Sequence, residues 1–424
     1  MRRAAVLLFV LAACDHKLPP QFPVCADAPV VTDAGTAVTA TYYGDIKPIL
    51  DGRCIGCHTA GGLAPFSLDS FDLASANAAL MAADVQTRHM PPWLADHCCQ
   101  EYRDSPQLTP EQIALFGAWL DAGTPLGDPA DAGAPIPTLG MSRVDVEVGM
   151  GAPYTPHQQN ELRCFTLDWP EQTTKFVTGI NLKVGNRSIV HHVILYVVDQ
   201  GSADSLKKQE NADGQPGFDC TGGLVGANVT GGLAGWQPGS QGLDFPDHTG
   251  TKVEPHSAIV MQIHYSLEHG GSGSDQTTLQ LEASDSATEL KGIAVGDLLW
   301  MANGSMRIPK GAVDYPYTTE IHPIDLYSSG NPMLLYNVSL HMHQFATHGL
   351  LTLEHADGTR ECLLQVSNWD MGWNGTFWFA QPLRVVSGDK IFLECDFTNT
   401  TDHDLVWSNS GEMCAGFGTY IDAH

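Results

Sequence analysis

Residues 189–198 read IVHHVILYVV and residues 258–267 read AIVMQIHYSL. Both runs have the length and the aliphatic, β-branched character of strands, and each carries histidine inside it. Outward from these two runs, the chain from Val144 onward repeats one pattern: short β-branched and aromatic runs separated by clusters of Gly, Asn, Asp and Pro. That is the pattern of antiparallel sandwiches. About 280 residues of this kind exceed one ordinary sandwich, so two are expected end to end, at 144–293 and 294–424.

Upstream, TPLGDPADAGAPIPTLG at 124–140 is a Pro/Gly/Ala stretch that marks a boundary, and the linker is placed at 127–143. Residues 41–126 form a compact segment. Its end is signposted by Thr109, Pro110 and Gln112, which read as an N-cap, a proline at the first helical turn and a capping-box partner. Ile113, Phe116 and Leu120 follow on one helical stripe, and Gly123 supplies the stop.

The whole chain has 424 residues, so two or three domains are expected. With 16% charged residues, 43 Gly and 26 Pro, it reads as loop-rich and β-rich, which excludes a coiled coil or a solenoid. Its 48 acidic against 21 basic residues give a net charge of -27, which repels phosphate backbones and excludes nucleic acid as a partner.

Residues 1–14 have the layout of an export signal: Arg2 and Arg3, an apolar run from Ala4 to Leu11, then small residues before Cys14. Leu11, Ala12, Ala13 and Cys14 resemble the bacterial lipobox, which implies a lipid anchor at Cys14 and an exported, membrane-anchored lipoprotein of the periplasm or cell surface. Residues 15–40 read as a tether. Eleven cysteines suit an oxidising compartment. Setting aside Cys14, Cys54 and Cys57 leaves an even remainder, Cys25, Cys98, Cys99, Cys164, Cys220, Cys362, Cys395 and Cys414, which permits disulfides without dictating their pairing.

Cys54-Ile55-Gly56-Cys57-His58 is C-x-x-C-H, the attachment signature of c-type haem. The two thiols would form thioethers with the porphyrin and His58 would ligate iron. A redox dithiol or a zinc half-site is the competing reading, and no second Cys/His pair of zinc spacing accompanies it. The run His89-Met90-Pro91-Pro92-Trp93 offers two candidates for the opposite axial ligand, of which Met90 is favoured; a plain packing methionine is the alternative. His/Met ligation suits electron transfer rather than peroxidase chemistry. The ordering of these motifs resembles small cytochrome c modules fused to extracytoplasmic oxidoreductases. The expected architecture is therefore multi-domain: a small all-α cytochrome c-like domain at 41–126, followed by two antiparallel β-sandwich (jelly-roll-like) domains.

Four further segments carry metal-ligand chemistry. His191 and His192 are adjacent, and neighbours on a regular strand point to opposite faces, so they can share one ion only if the strand is bulged or ends there. His264 and Gln262 share a face opposite Met261, Ile263 and Tyr265. NVSLHMHQF at 337–345 carries His341 and His343 two apart, the spacing by which one strand gives two ligands to one ion. Met413, between Glu412 and Cys414, adds a thioether; two imidazoles with a thioether are soft enough for Cu(I). Taken singly, a strand histidine is usually a satisfied core or surface residue.

In order, HHVILY, MQIHYS, HMH and EMC resemble the copper type II ascorbate-dependent monooxygenases, the family of dopamine β-monooxygenase and peptidylglycine α-hydroxylating monooxygenase, over roughly 142–424. The resemblance implies two copper ions. One would be held by His191, His192 and His264 and would relay electrons; the other, held by His341, His343 and Met413, would bind oxygen and hydroxylate, the two facing each other across a cleft. It also implies a Cys395–Cys414 disulfide. Where the peptide-amidating branch has an arginine, this chain has Ser339, on the same strand face as His341 and His343; its tyrosine and asparagine positions hold Phe417 and Ala415. Peptide C-termini are thus poor substrate candidates. The functional expectation is a copper-dependent monooxygenase acting with O2 on a small organic substrate. Electrons would come from the fused haem and/or ascorbate, with an external redox partner as a further source. A non-enzymatic extracytoplasmic electron-transfer or copper-binding lipoprotein is the alternative.

Overall fold

The computed structural model describes residues 40–423 apart from 63, 104, 135, 137–139, 222, 238–239, 241, 268–269, 304, 374 and 409–410. The expected export signal, the expected anchor at Cys14, nearly all of the expected 15–40 tether and Cys25 lie outside the described residues. Among the described residues no helix is long and apolar enough to cross a membrane.

Apolar alternation builds the first sheet pair. One sheet runs in the order Phe218–Asp219, Asn160–Asp168, Ala258–Ser266, Val190–Val198, Val229–Trp236. The other runs Val146–Gly149, Thr278–Ser284, Lys175–Lys183, Thr249–Val253, Thr288–Glu289, with Leu243–Asp244 also on Lys175–Lys183. Val193, Leu195 and Val197 from the first and Ile180, Leu279 and Leu281 from the second meet in one buried core. The histidine-bearing face of the first sheet is the opposite one, because Met261, Ile263 and Tyr265 occupy the core side.

The second pair comprises Lys291–Val295, Ala415–Asp422, Met333–His341, Phe377–Val385 against Tyr315–Ile321, Lys390–Phe397, Ala346–Glu354, Arg360–Val366. Leu340 and Met342, which flank His341, are fully buried in its core, so His341 faces outward from it. A short ribbon, Arg307–Ile308 with Leu405–Val406, completes the sheets.

The expected small all-α cytochrome c-like domain ahead of two antiparallel sandwich domains is corrected by this architecture. The chain is β-rich and multi-sheet with few helices, and no all-α cytochrome domain is evident among the described residues. Short helices α1 (Lys47–Arg53), α2 (Phe71–Ala76), α3 (Ala78–Gln86) and α4 (Pro110–Asp121) enclose a small core around Phe116 and Trp119. Between α3 and α4 the chain leaves them and lies along the second sheet pair. Asp96 donates its N–H to Gln365, Arg103 to Trp378, Tyr102 bridges Phe379, and Cys99 is bonded to Cys362. The capping box that marked α4 is present, but it is a local signal. Pro91 and Pro92 bar a helix where the chain crosses over, and beyond them the backbone of Asp96, Glu101 and Arg103 is satisfied by strand edges instead. Nor are the sheets wholly antiparallel, since Thr288–Glu289 joins Thr249–Gly250 in parallel.

Candidate metal centres

The Val190–Val198 strand pairs with Ala258–Ser266 so that Val190 faces Tyr265 and His192 faces His264. One residue, His191, is extra, and this is the β-bulge that a site shared by His191 and His192 requires. The three imidazoles converge: ring centroids lie 5.7 Å apart for His191–His192, 5.0 Å for His191–His264 and 4.8 Å for His192–His264. One ligand atom from each lies within 4.8 Å of the others.

His192 and His264 are 8% and 6% exposed. Burial, reinforced by the neighbouring His191, pushes His264 down to about 4. Burial acts in the same direction on His192, aided by His264, His191 and His341, so the rings are neutral at physiological pH and keep a lone pair for a metal. His264 Nε2 lies 3.2 Å from Asn160 Oδ1; with Nε2 as the donor, the lone pair is on Nδ1. Nδ1 of His264 and Nδ1 of His192 are buried and have no hydrogen-bond partner. Such an orphaned group costs about 1–3 kcal/mol, and a metal ion that accepts both lone pairs removes that cost. The donor set fits copper.

The second cluster is built where Met333–His341 runs beside Ala415–Asp422. His341 faces Ala415 and Ser339 faces Phe417 across the ladder. The His341 and His343 rings are 5.3 Å apart and nearly perpendicular. His343 Nδ1 donates to Gly411 O at 2.9 Å, which leaves Nε2 as the ligand atom. The His343 N–H and the Phe345 N–H donate to Glu412 at 2.9 and 2.6 Å. Met413 therefore lies between a carboxylate anchored on the His343 segment and Cys414, whose disulfide to Cys395 is formed. Burial, with His343 adding to it, pushes His341 down to about 4, and burial lowers His343 as well. Two neutral imidazoles fit copper, and Met413, next in sequence to the anchored Glu412, carries the thioether that would make the set soft enough for Cu(I).

At the C-x-x-C-H motif, Cys54 and Cys57 are free thiols, unlike Cys164, paired with Cys220, and Cys98, which is also disulfide-bonded. His58 Nδ1 donates to Phe66 O at 3.1 Å, fixing the ring and leaving Nε2 available. Cys54, Cys57, His58 and Met90 all line one cavity of about 760 Å³, within the roughly 300–1,000 Å³ of cofactor pockets. His89, the other axial candidate, is not among its lining residues and pairs with Asp84 at 3.5 Å. The cavity, its two thiols and its oriented imidazole fit a covalently held haem.

Several contributors had no individual sequence signal. Asn160 and Glu412 orient histidines on other strands, and Gly372 packs so tightly on His191 that a Cβ there would lie 2.7 Å from Cε1. Only Glu412 stood beside a residue already singled out.

Residues 146–271, which contain His191, His192 and His264, match the N-terminal domain of the copper type II ascorbate-dependent monooxygenases. The mouse protein DBH-like monooxygenase protein 2 is 25% identical over 256 residues, covering 55% of this chain and 38% of that protein. The chain thus spans well under half the length of this relative. Both matches support the copper type II monooxygenase family. Among solved structures, the major capsid protein of bacteriophage PM2 is 9% identical with a TM-score of 0.24, over 65% of this chain and 97% of that one. An oxalate decarboxylase mutant of Bacillus subtilis is 8% identical with a TM-score of 0.14, over 69% of this chain and 81% of that one. Neither score reaches the level of a shared fold.

Proposed function

We propose that this chain is a copper-dependent monooxygenase that hydroxylates a small organic substrate with O2, using one copper ion at His191, His192 and His264 and a second at His341, His343 and Met413. The observation that carries the reading is the bulge at His191, which gathers three imidazoles with buried, unpartnered Nδ1 atoms on His192 and His264. Copper bound at the two sites would supply one-electron transfer at the first and oxygen activation at the second.

The residues supply the rest. Asn160 and Gly411 fix the orientation of His264 and His343. Burial keeps the imidazoles unprotonated. Ser339, Ala415 and Phe417 give the face beside His341 an uncharged wall, with Phe417 45% exposed, which favours an apolar or aromatic molecule over a carboxylate. A haem held by Cys54, Cys57 and His58, with Met90 opposite, is the proposed internal electron donor, with ascorbate or an external redox partner as its source. Fusing donor to acceptor raises effective concentration. Cys14 is the proposed lipid anchor of an exported protein in the periplasm or at the cell surface.

The test is oxygen uptake by the copper-loaded protein with ascorbate, screened against small aromatic and aliphatic compounds, with mass spectrometry of the products. Uptake that requires an added organic compound and yields its product with one more oxygen atom supports the reading. Copper binding without such uptake overturns it in favour of a copper-binding or electron-transfer protein.

A further inference from the structure

The short segment from Trp369 to Trp373 touches all three candidate centres. Trp373 forms part of the wall of the cavity that holds Cys54, Cys57, His58 and Met90. Its neighbour Gly372 lies against the His191 ring, where a Cβ would come within 2.7 Å of Cε1 and 3.0 Å of Nε2. Trp369 donates its indole N–H to the carbonyl of His343 at 3.0 Å. The turn is fixed by Asp370, whose side chain accepts from Gly372 N at 2.7 Å and whose carbonyl accepts from Trp373 N at 3.0 Å.

A second contact holds the same two regions together. Arg187 Nη1 donates to the carbonyl of Gly56, inside the C-x-x-C-H loop, at 2.8 Å. Arg187 is four residues before His191, and Ser188 is itself part of the cavity wall. The cavity is therefore closed on one side by the chain that runs into the three-histidine site.

We infer that Trp369–Trp373 is the electron bridge of this protein, joining the haem cavity to His191 through Trp373 and Gly372 and reaching the second site through Trp369. This rests on the proposed function. With haem held by Cys54, Cys57 and His58 and copper by His191, His192 and His264, the step assigned to Trp373 and Gly372 would carry one electron from ferrous iron, leaving it ferric, to Cu(II), leaving it Cu(I). No covalent bond forms or breaks and no proton moves. The fixed turn and the absent side chain at position 372 keep the indole one residue from the accepting ligand.

The test is flash photoreduction of the haem in the copper(II)-loaded, full-length protein under nitrogen, with reoxidation followed by haem absorbance. Wild-type haem is expected to reoxidise in a copper-dependent phase. Trp373→Leu is expected to slow that phase several-fold in the molecules that retain both haem and copper. Arg187→Ala, which loosens the docking without altering the cavity wall, is expected to slow it as well, and it serves if Trp373→Leu fails to retain haem. Unchanged rates in the variants that retain haem and copper overturn the bridge while leaving the proposed function standing. Wild-type protein without a c-type haem spectrum overturns the bridge together with the haem assignment on which it rests.

Discussion

Glu412, fully buried, accepts the backbone N–H of His343 at 2.9 Å and so ties one candidate ligand to the residue next to another, Met413. The same carboxylate accepts from Phe345, so Glu412→Ala orphans two backbone donors. At about 1–3 kcal/mol for a buried unsatisfied group, the variant is expected to unfold at visibly lower temperature. Copper analysis is expected to show the second ion lost and the first retained. Retention of both ions at wild-type affinity sinks this role for Glu412.

Met413→Ala separates the two centres chemically. Removing the thioether leaves two imidazoles, a poorer set for Cu(I), while the His191, His192 and His264 cluster on another sheet is untouched. Substrate oxygenation is expected to fall sharply while haem content and copper at the first site stay normal. Equal turnover in wild type and variant refutes the copper assignment at Met413.

What could be read from the sequence was mostly what is local. The i, i+2 spacing of His341 and His343 needs only the pleat of one strand, and the bulge at His191 follows from demanding that two adjacent histidines share an ion. The capping box of α4 is equally local. The all-α reading of this segment fails because between α3 and α4 the backbone of Asp96, Glu101 and Arg103 pairs with strand edges far along the chain, at Gln365, Ala380 and Trp378, and no local periodicity records that. Asn160, Glu412 and Gly372 were illegible for the same reason. Each acts on a histidine brought beside it by sheet pairing or by packing between the sheet pairs, and each residue type is common elsewhere in the chain.

The Cys395–Cys414 bridge closes a loop of sequence separation 19 between the Lys390–Phe397 strand and the segment bearing Met413. Loop-closure entropy for that span is worth about 3 kcal/mol. Replacing both cysteines by serine is expected to lower the unfolding midpoint by a corresponding amount in denaturant titrations. It is also expected to weaken copper binding at the second site more than at the first. Equal weakening at both sites points to global destabilisation and removes the bridge from the architecture of the site.

His348 gives the fold a pH dependence of its own. Its Nδ1 lies 3.2 Å from Asp396 Oδ2, directly across the ladder between Ala346–Glu354 and Lys390–Phe397. Burial pulls the imidazole down, but Asp396, Glu394 and Asp96 outweigh it and hold the ring above its ordinary value. A histidine raised on folding binds its proton more tightly in the native state, so its stabilisation is complete below the unfolded value near 6.5. That stabilisation is lost as pH rises through the native value. Unfolding free energy is therefore expected to fall on going from mildly acidic to mildly alkaline buffer. His348→Gln, which keeps a polar side chain but cannot carry the charge, should be less stable at the acidic end and flatter across the range. A variant whose stability follows the wild-type pH curve throughout would show that the His348–Asp396 pair contributes nothing.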